Sequence, residues 1–150
     1  MKKYSADELF KIAYDHLQKK EYLKSAALFE KLIKVYPENL STLKNLAYCY
    51  AYLRDFDKAE VYIKKIIDIK PDEPFAYQFL ASILKDQDKI EEATSVVNQG
   101  LKKGLINEKW EIQKNFFFPK IPSNREEIKK YRKKIEGEIE KILDVNFDKE

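Results

Sequence analysis

Apolar residues recur along this chain at spacings of three and four. Leu43, Leu46, Ala47 and Tyr50 fall on one face of a helix, and Ala59, Ile63, Ile66 and Ile67 on one face of the next. Arg54-Asp55-Phe56-Asp57 reads as the short polar turn between them. The same unit then recurs. Pro37 and Pro71 lie 34 residues apart, each closing a similar run: Ser25-Ala26-Ala27-Leu28-Phe29 through Tyr36-Pro37, and Ala59-Glu60-Val61-Tyr62-Ile63 through Lys70-Pro71. One period later come Ala93-Thr94-Ser95-Val96-Val97 and Gly100-Leu101, with Leu105 where a proline would fall. Upstream, Leu9, Leu43 and Tyr77 share a register position, as do Ile12, Leu46 and Leu80, then Ala13, Ala47 and Ala81, then Tyr22, Phe56 and Ile90. The spacing predicts three copies, 6–39, 40–73 and 74–105, each a pair of amphipathic helices of about 14 residues.

The small residues have a packing reason. Ala47 and Ala59 sit where the two helices of a pair approach closely, and a larger side chain there would force them apart. The prolines end each second helix because they lack an N–H and clash with the preceding turn. This 34-residue pattern of a bulky residue, Leu-Ala, Tyr, Ala, a large apolar residue and Pro resembles the tetratricopeptide repeat family over about residues 6–105. Ser25, Gly100, His16 and the missing third proline depart from the family's usual residues. The resemblance implies an all-α, right-handed α-solenoid of three helix pairs, and such arrays need a terminal cap.

The rest of the chain supplies a candidate cap. Ser123-Asn124-Arg125-Glu126 reads as a capping box, and Ile128, Tyr131, Ile135, Ile139 and Ile142 make an apolar stripe behind it. A C-terminal helix is expected over 123–143, its stripe packed on the third copy or on a partner, followed by a tail over 144–150. Gly137 weakens that helix without needing to break it. Three phenylalanines, Phe116–Phe118, stand beside Pro119 and Pro122, so residues 106–122 are expected as an extended strap. That strap lies either on the solenoid surface or in a groove, its own or a neighbour's.

Composition removes whole classes. Three glycines and five prolines in 150 residues are too few for a β-sandwich, a barrel or a glycine-rich phosphate cradle. One cysteine excludes a disulfide framework and a paired-thiolate zinc site, and no metal or cofactor is expected. With 29 Lys+Arg against 26 Asp+Glu, the net charge of +3 does not point to nucleic acid. The densest basic cluster, Lys129, Lys130, Arg132, Lys133 and Lys134, is interleaved with glutamates such as Glu126, and reads as a solvated helix face. No apolar run is long enough to span a membrane, and no h-region follows the N-terminal lysines; a cytoplasmic protein is expected. The N-terminus reads as a natural start, whereas the C-terminus carries no mark of an end.

No catalytic constellation stands out. Cys49 and His16 fall at neighbouring register positions of adjacent copies, but both belong to the packed face, where a thiol behaves as a small hydrophobe. Asp55, Asp57, Glu91 and Glu92 sit in turns, where they cap and complement helix N-termini. Asp86-Gln87-Asp88 lacks the glycine and distal glutamate of an EF-hand. The chain is therefore read as a non-enzyme.

What remains is a surface. First helices line the concave side of such a solenoid, and the register places Phe10, Lys11, Tyr14, Lys44, Asn45, Tyr48, Tyr52, Phe75 and Phe79 there. Flat aromatic residues give large contact area at small entropic cost, which suits them to anchor an apolar or amphipathic peptide. The expected partner is a protein or peptide; a homodimer through the strap or the C-terminal helix is a further option. Family members that clamp chaperone tails carry Lys, Asn and Arg where this chain has Asp7, Lys11, Asn45, Phe75 and Phe79, so only Asn45 fits. Members with an asparagine ladder would want Asn at Lys11, Asn45 and Phe79, and again only Asn45 complies. Phe116–Ser123 with Glu126-Glu127-Ile128 and Tyr131-Arg132 resembles the connector after the repeats of bacterial SPINDLY-like glycosyltransferases. That likeness implies an alternative: a substrate-recruiting arm whose catalytic domain lies beyond residue 150.

Overall fold

A computed structural model describes residues 4–115, 117–118 and 122–147. It is all-α among these residues. The helices are α1 (Ala6–Gln18), α2 (Tyr22–Val35), α3 (Leu40–Tyr52), α4 (Phe56–Ile69), α5 (Pro74–Asp86), α6 (Ile90–Lys102), α7 (Glu108–Asn115) and α8 (Arg125–Phe147). The first six form three pairs, α1/α2, α3/α4 and α5/α6, and each pair packs on the next through α2/α3 and α4/α5.

The 34-residue register reappears as burial. Ala13, Ala47 and Ala81 are wholly buried, as are Ser25, Ala59 and Ala93, and Phe29, Ile63 and Val97. Ser25 is tolerated in this apolar column because its hydroxyl donates to the Ala13 carbonyl at 2.8 Å. The Cys49 thiol in turn donates to Ser25 Oγ at 3.4 Å.

Turn chemistry repeats as well. Lys20, Arg54 and Asp88 are 34 residues apart and all adopt positive φ, at 59°, 65° and 67°. Each follows the first helix of its pair. The next amide reaches back to close the turn: Glu21 N–H donates to His16 O, Asp55 N–H to Tyr50 O and Lys89 N–H to Leu84 O, each at 2.9 Å. These are Schellman closures, which normally favour glycine at the left-handed position. Second helices stop differently. In the first two pairs the chain leaves the helical conformation at Tyr36 and Lys70, immediately before Pro37 and Pro71. In the third pair Gly104, at φ 66°, does the work of the absent proline.

Gly100 also has a local reason. A Cβ there would come within 2.9 Å of Ile106 Cδ1, so the missing side chain makes room for Ile106, itself nearly buried.

Three expectations for the C-terminal third need correction. The stretch 106–122 is not extended throughout: Glu108–Asn115 is α7, packed on α6. Its residues, Glu-Lys-Trp-Glu-Ile-Gln-Lys-Asn, are mostly good helix formers with no proline, and the proline argument applies only further on. The cap of α8 is shifted by one residue. Asn124 Oδ1 accepts the Glu127 N–H at 2.9 Å, and the Glu127 carboxylate accepts from the Ser123 backbone and hydroxyl, so Asn124 and Glu127 replace Ser123 and Glu126. Finally, α8 runs to Phe147, through Gly137 and four residues into the expected tail. Of the strap, Phe116, Pro119, Lys120 and Ile121 lie outside the described residues.

Candidate functional site

The predicted groove residues separate into two groups. On α1, Phe10 and Tyr14 stack with centroids 6.5 Å apart, and Phe10 sets its edge against buried Phe29 at 5.3 Å. Lys11 is exposed beside them. The second group spans α3 and α5. Tyr48 lies 5.4 Å from Phe75 and 4.7 Å from Phe79, and those two rings stack at 5.2 Å. Asn45 is half-buried one turn before Tyr48.

Lys44 belongs to the second group but is already engaged. Its ammonium donates to Glu73 at 3.0 Å and lies 5.1 Å above the Phe75 ring. Lys70 donates to the other Glu73 oxygen at 3.0 Å. The two ammoniums, Lys44 first, hold the Glu73 carboxyl below the usual carboxylate range. Glu73 therefore ties α3 to the start of α5 and fixes the floor under Phe75.

Beyond Phe79 the surface opens. A cleft of about 330 Å³ is lined by Tyr48, Ala51, Tyr52, Phe79, Ser82 and Asp86, together with Arg54, Phe56 and Ile83. Tyr48, Tyr52 and Phe79 among them are residues that the register assigns to the concave side. Among the described residues none after Asp86 lines it, so α7, Phe117, Phe118 and α8 stay clear of it. Tyr52 is 62% exposed and stacks on Tyr22 of α2 at 4.6 Å, 2° from parallel. Burial, with the Tyr52 phenol nearby, pushes the Tyr48 phenol above its ordinary pKa. Both rings are thus held in place while keeping accessible faces. Arg54 and Phe56 escape a reading by register, since one looks like a turn residue and the other like a packing position. Their cue is the cation–π pair they make across the turn, at 4.8 Å.

The two residues with nucleophilic or general-base chemistry do not meet as a dyad. Cys49 is fully buried against Ser25, and burial pushes its thiol up, away from the reactive thiolate. His16 is only partly buried, and its Nδ1 faces the Glu21 carboxylate, which Lys24 and His16 together bring down to about 2. No cluster of potential metal ligands exists among the described residues. No helix among them is long and apolar enough to cross a membrane.

Stacked helix pairs with a 34-residue register are the architecture of the tetratricopeptide-repeat α-solenoids, and that is the fold of this chain. Residues 16–83 match the family model described as tetratricopeptide repeat. Among curated proteins, the chain is 37% identical over 60 residues to the Protein CTR9 homolog of Arabidopsis thaliana, covering 40% of this chain and 6% of that protein. It is 26% identical over 80 residues to the aspartyl/asparaginyl beta-hydroxylase of Mus musculus, covering 53% and 11%. The chain thus matches only a small part of either relative.

Solved structures agree on the fold. MamA (41-end) from Desulfovibrio magneticus RS-1 superposes with a TM-score of 0.71 at 11% identity, covering 97% of this chain and 78% of that one. The first repeat domain of Spaghetti (RPAP3), bound to the HSP90 peptide SRMEEVD, gives 0.60 at 19% identity, covering 88% and 91%. An O-GlcNAc transferase of Thermobaculum terrenum (K341M mutant) gives 0.60 at 14% identity, covering 73% and 21%.

Proposed function

We propose that this chain is a non-catalytic scaffold that holds an apolar or amphipathic peptide segment in its concave groove. The Tyr48–Tyr52–Phe79 cleft takes the anchoring side chain. The carrying observation is that cleft: aromatic walls fixed by stacking and by the Lys44–Glu73 tie, left uncovered by the other described residues. Rigid, partly exposed rings lose little freedom on binding, so their contact area converts well into affinity. Phe10, Lys11 and Tyr14 extend the track across α1, and Asn45 offers an amide to the peptide backbone. The RPAP3 domain, with the same fold, holds an HSP90 peptide. A different ligand is expected here, because an acidic peptide terminus would meet Asp7, Phe75 and Phe79 at positions where clamp-type members offer cations. Such a scaffold acts in the cytoplasm, where the lone buried Cys49 stays reduced.

Selection from a displayed random-peptide library tests the reading. Peptides carrying an aromatic or large aliphatic anchor are expected, and Tyr48→Ala with Phe79→Ala should weaken them by about 2 kcal/mol or more. Equal affinity for wild type and the double variant would discard the groove.

A second reading makes the chain the recruiting arm of a SPINDLY-like glycosyltransferase. It is supported by the fold shared with the Thermobaculum terrenum transferase and by the connector motif. A stop codon shortly after Glu150 in the parent reading frame would end it.

A further inference from the structure

The apolar stripe of α8 is largely uncovered. Ile128 is 53% exposed, Ile139 45% and Leu143 50%. With half-buried Ile135 they form a ridge along a helix of 23 residues, ~35 Å at 1.5 Å per residue. The helix faces the repeat array with another side: Glu127, Lys130, Tyr131 and Lys134 line shallow clefts against α6. Tyr131 meets Phe118 there at 5.3 Å, and Lys134 lies 5.2 Å above the same ring.

Charge is divided along one flank of the ridge. Lys129, Arg132 and Lys133 occupy its N-terminal half, Glu136 and Glu140 its C-terminal half. At about 100° per residue all five share that flank. Among the described residues Arg132, Lys133, Glu136 and Glu140 have no ion-pair partner, while Lys129 pairs with Glu126 and Lys141 with Glu138. A ridge flanked by cations and then anions complements itself run backwards. Run in parallel and in register, it would oppose like charges.

We propose that α8 is a self-association helix, and that two copies of this chain join by packing their α8 ridges antiparallel about a two-fold axis near Glu136. In that register Ile139 falls between Arg132 and Ile135 of the second copy, and Arg132 faces Glu140 at both ends of the contact. The contact is isologous, so it closes as a dimer, and it uses none of the residues that line the Tyr48–Phe79 cleft. It does not depend on what that groove binds.

Sedimentation velocity on the full chain tests this. Wild type should show a concentration-dependent dimer that weakens as salt rises. Ile139→Glu should keep the helical circular-dichroism spectrum and raise the dimer Kd by about tenfold or more. Arg132→Glu with Lys133→Glu should weaken the dimer too, and mixing it with a Glu136→Lys, Glu140→Lys chain should restore association. For orientation, Lys129→Cys and Leu143→Cys chains should oxidise to a linked pair when mixed, whereas Leu143→Cys chains alone should not. A chain monomeric at every concentration, a dimer indifferent to Ile139→Glu, or Leu143→Cys chains linking to one another would each overturn the proposal.

Discussion

Ala47 of α3 is fully buried in the core that the repeat helices share. Ala47→Leu should therefore destabilise the chain by ~1–3 kcal/mol, read as a lower midpoint in urea denaturation. At Lys20 the constraint lies in the backbone. Its φ of 59° strains an L-residue, and its side chain is exposed. Lys20→Gly should stabilise the chain by ~0.5–1 kcal/mol, seen as a higher midpoint, and Lys20→Val should lower the midpoint, since relief of left-handed strain outweighs the added unfolded-state freedom. The buried alanines are legible in the sequence because size exclusion leaves a periodic trace. The left-handed residues are not, because Lys, Arg and Asp carry no sign of that conformation as glycine would. Only their shared 34-residue spacing marks them, once the turn geometry is seen.

Between elements, a few charged contacts clamp one helix pair to the next. Lys44 reaches from α3 to Glu73 at the start of α5, and Lys70 reaches the same carboxylate from the end of α4. Because Glu73 has a lowered pKa when folded, its contribution is present above the ordinary carboxylate range and is lost as pH falls through the lowered value. Glu21 behaves alike, its contribution fading as pH drops from 4.5 towards about 2. Glu73→Gln should thus lower thermal stability at neutral pH and shrink the difference between neutral and acid midpoints. An acid dependence identical to wild type would show that the clamp contributes nothing. The six repeat helices are visible in the apolar period, whereas α7 is not, since its short polar run shows no amphipathic stripe. The α8 cap was a choice between adjacent residues, and it goes to Asn124 because its carbonyl oxygen reaches the Glu127 amide.

At the scale of the molecule, stacking the pairs sets Tyr48 and Phe79 of adjacent copies side by side and leaves a cleft at their edge. Register alone proposes which side of the helices these residues occupy. What register could not give was their grouping, because it ignores which rings already have partners. Phe10 turns its edge to Phe29, Tyr52 stacks on Tyr22, and Lys44 is tied to Glu73, so the aromatic surface is divided and the cleft moves toward the ends of α3 and α5. Nuclear magnetic resonance titration of the isotope-labelled chain with a library-selected peptide tests the groove most directly. Shifts should concentrate on Tyr48, Ala51, Tyr52, Phe79 and Ser82 and vanish with Tyr48→Ala plus Phe79→Ala. Shifts confined to the outer faces of α2, α4 and α6, and unchanged in the double variant, would contradict it.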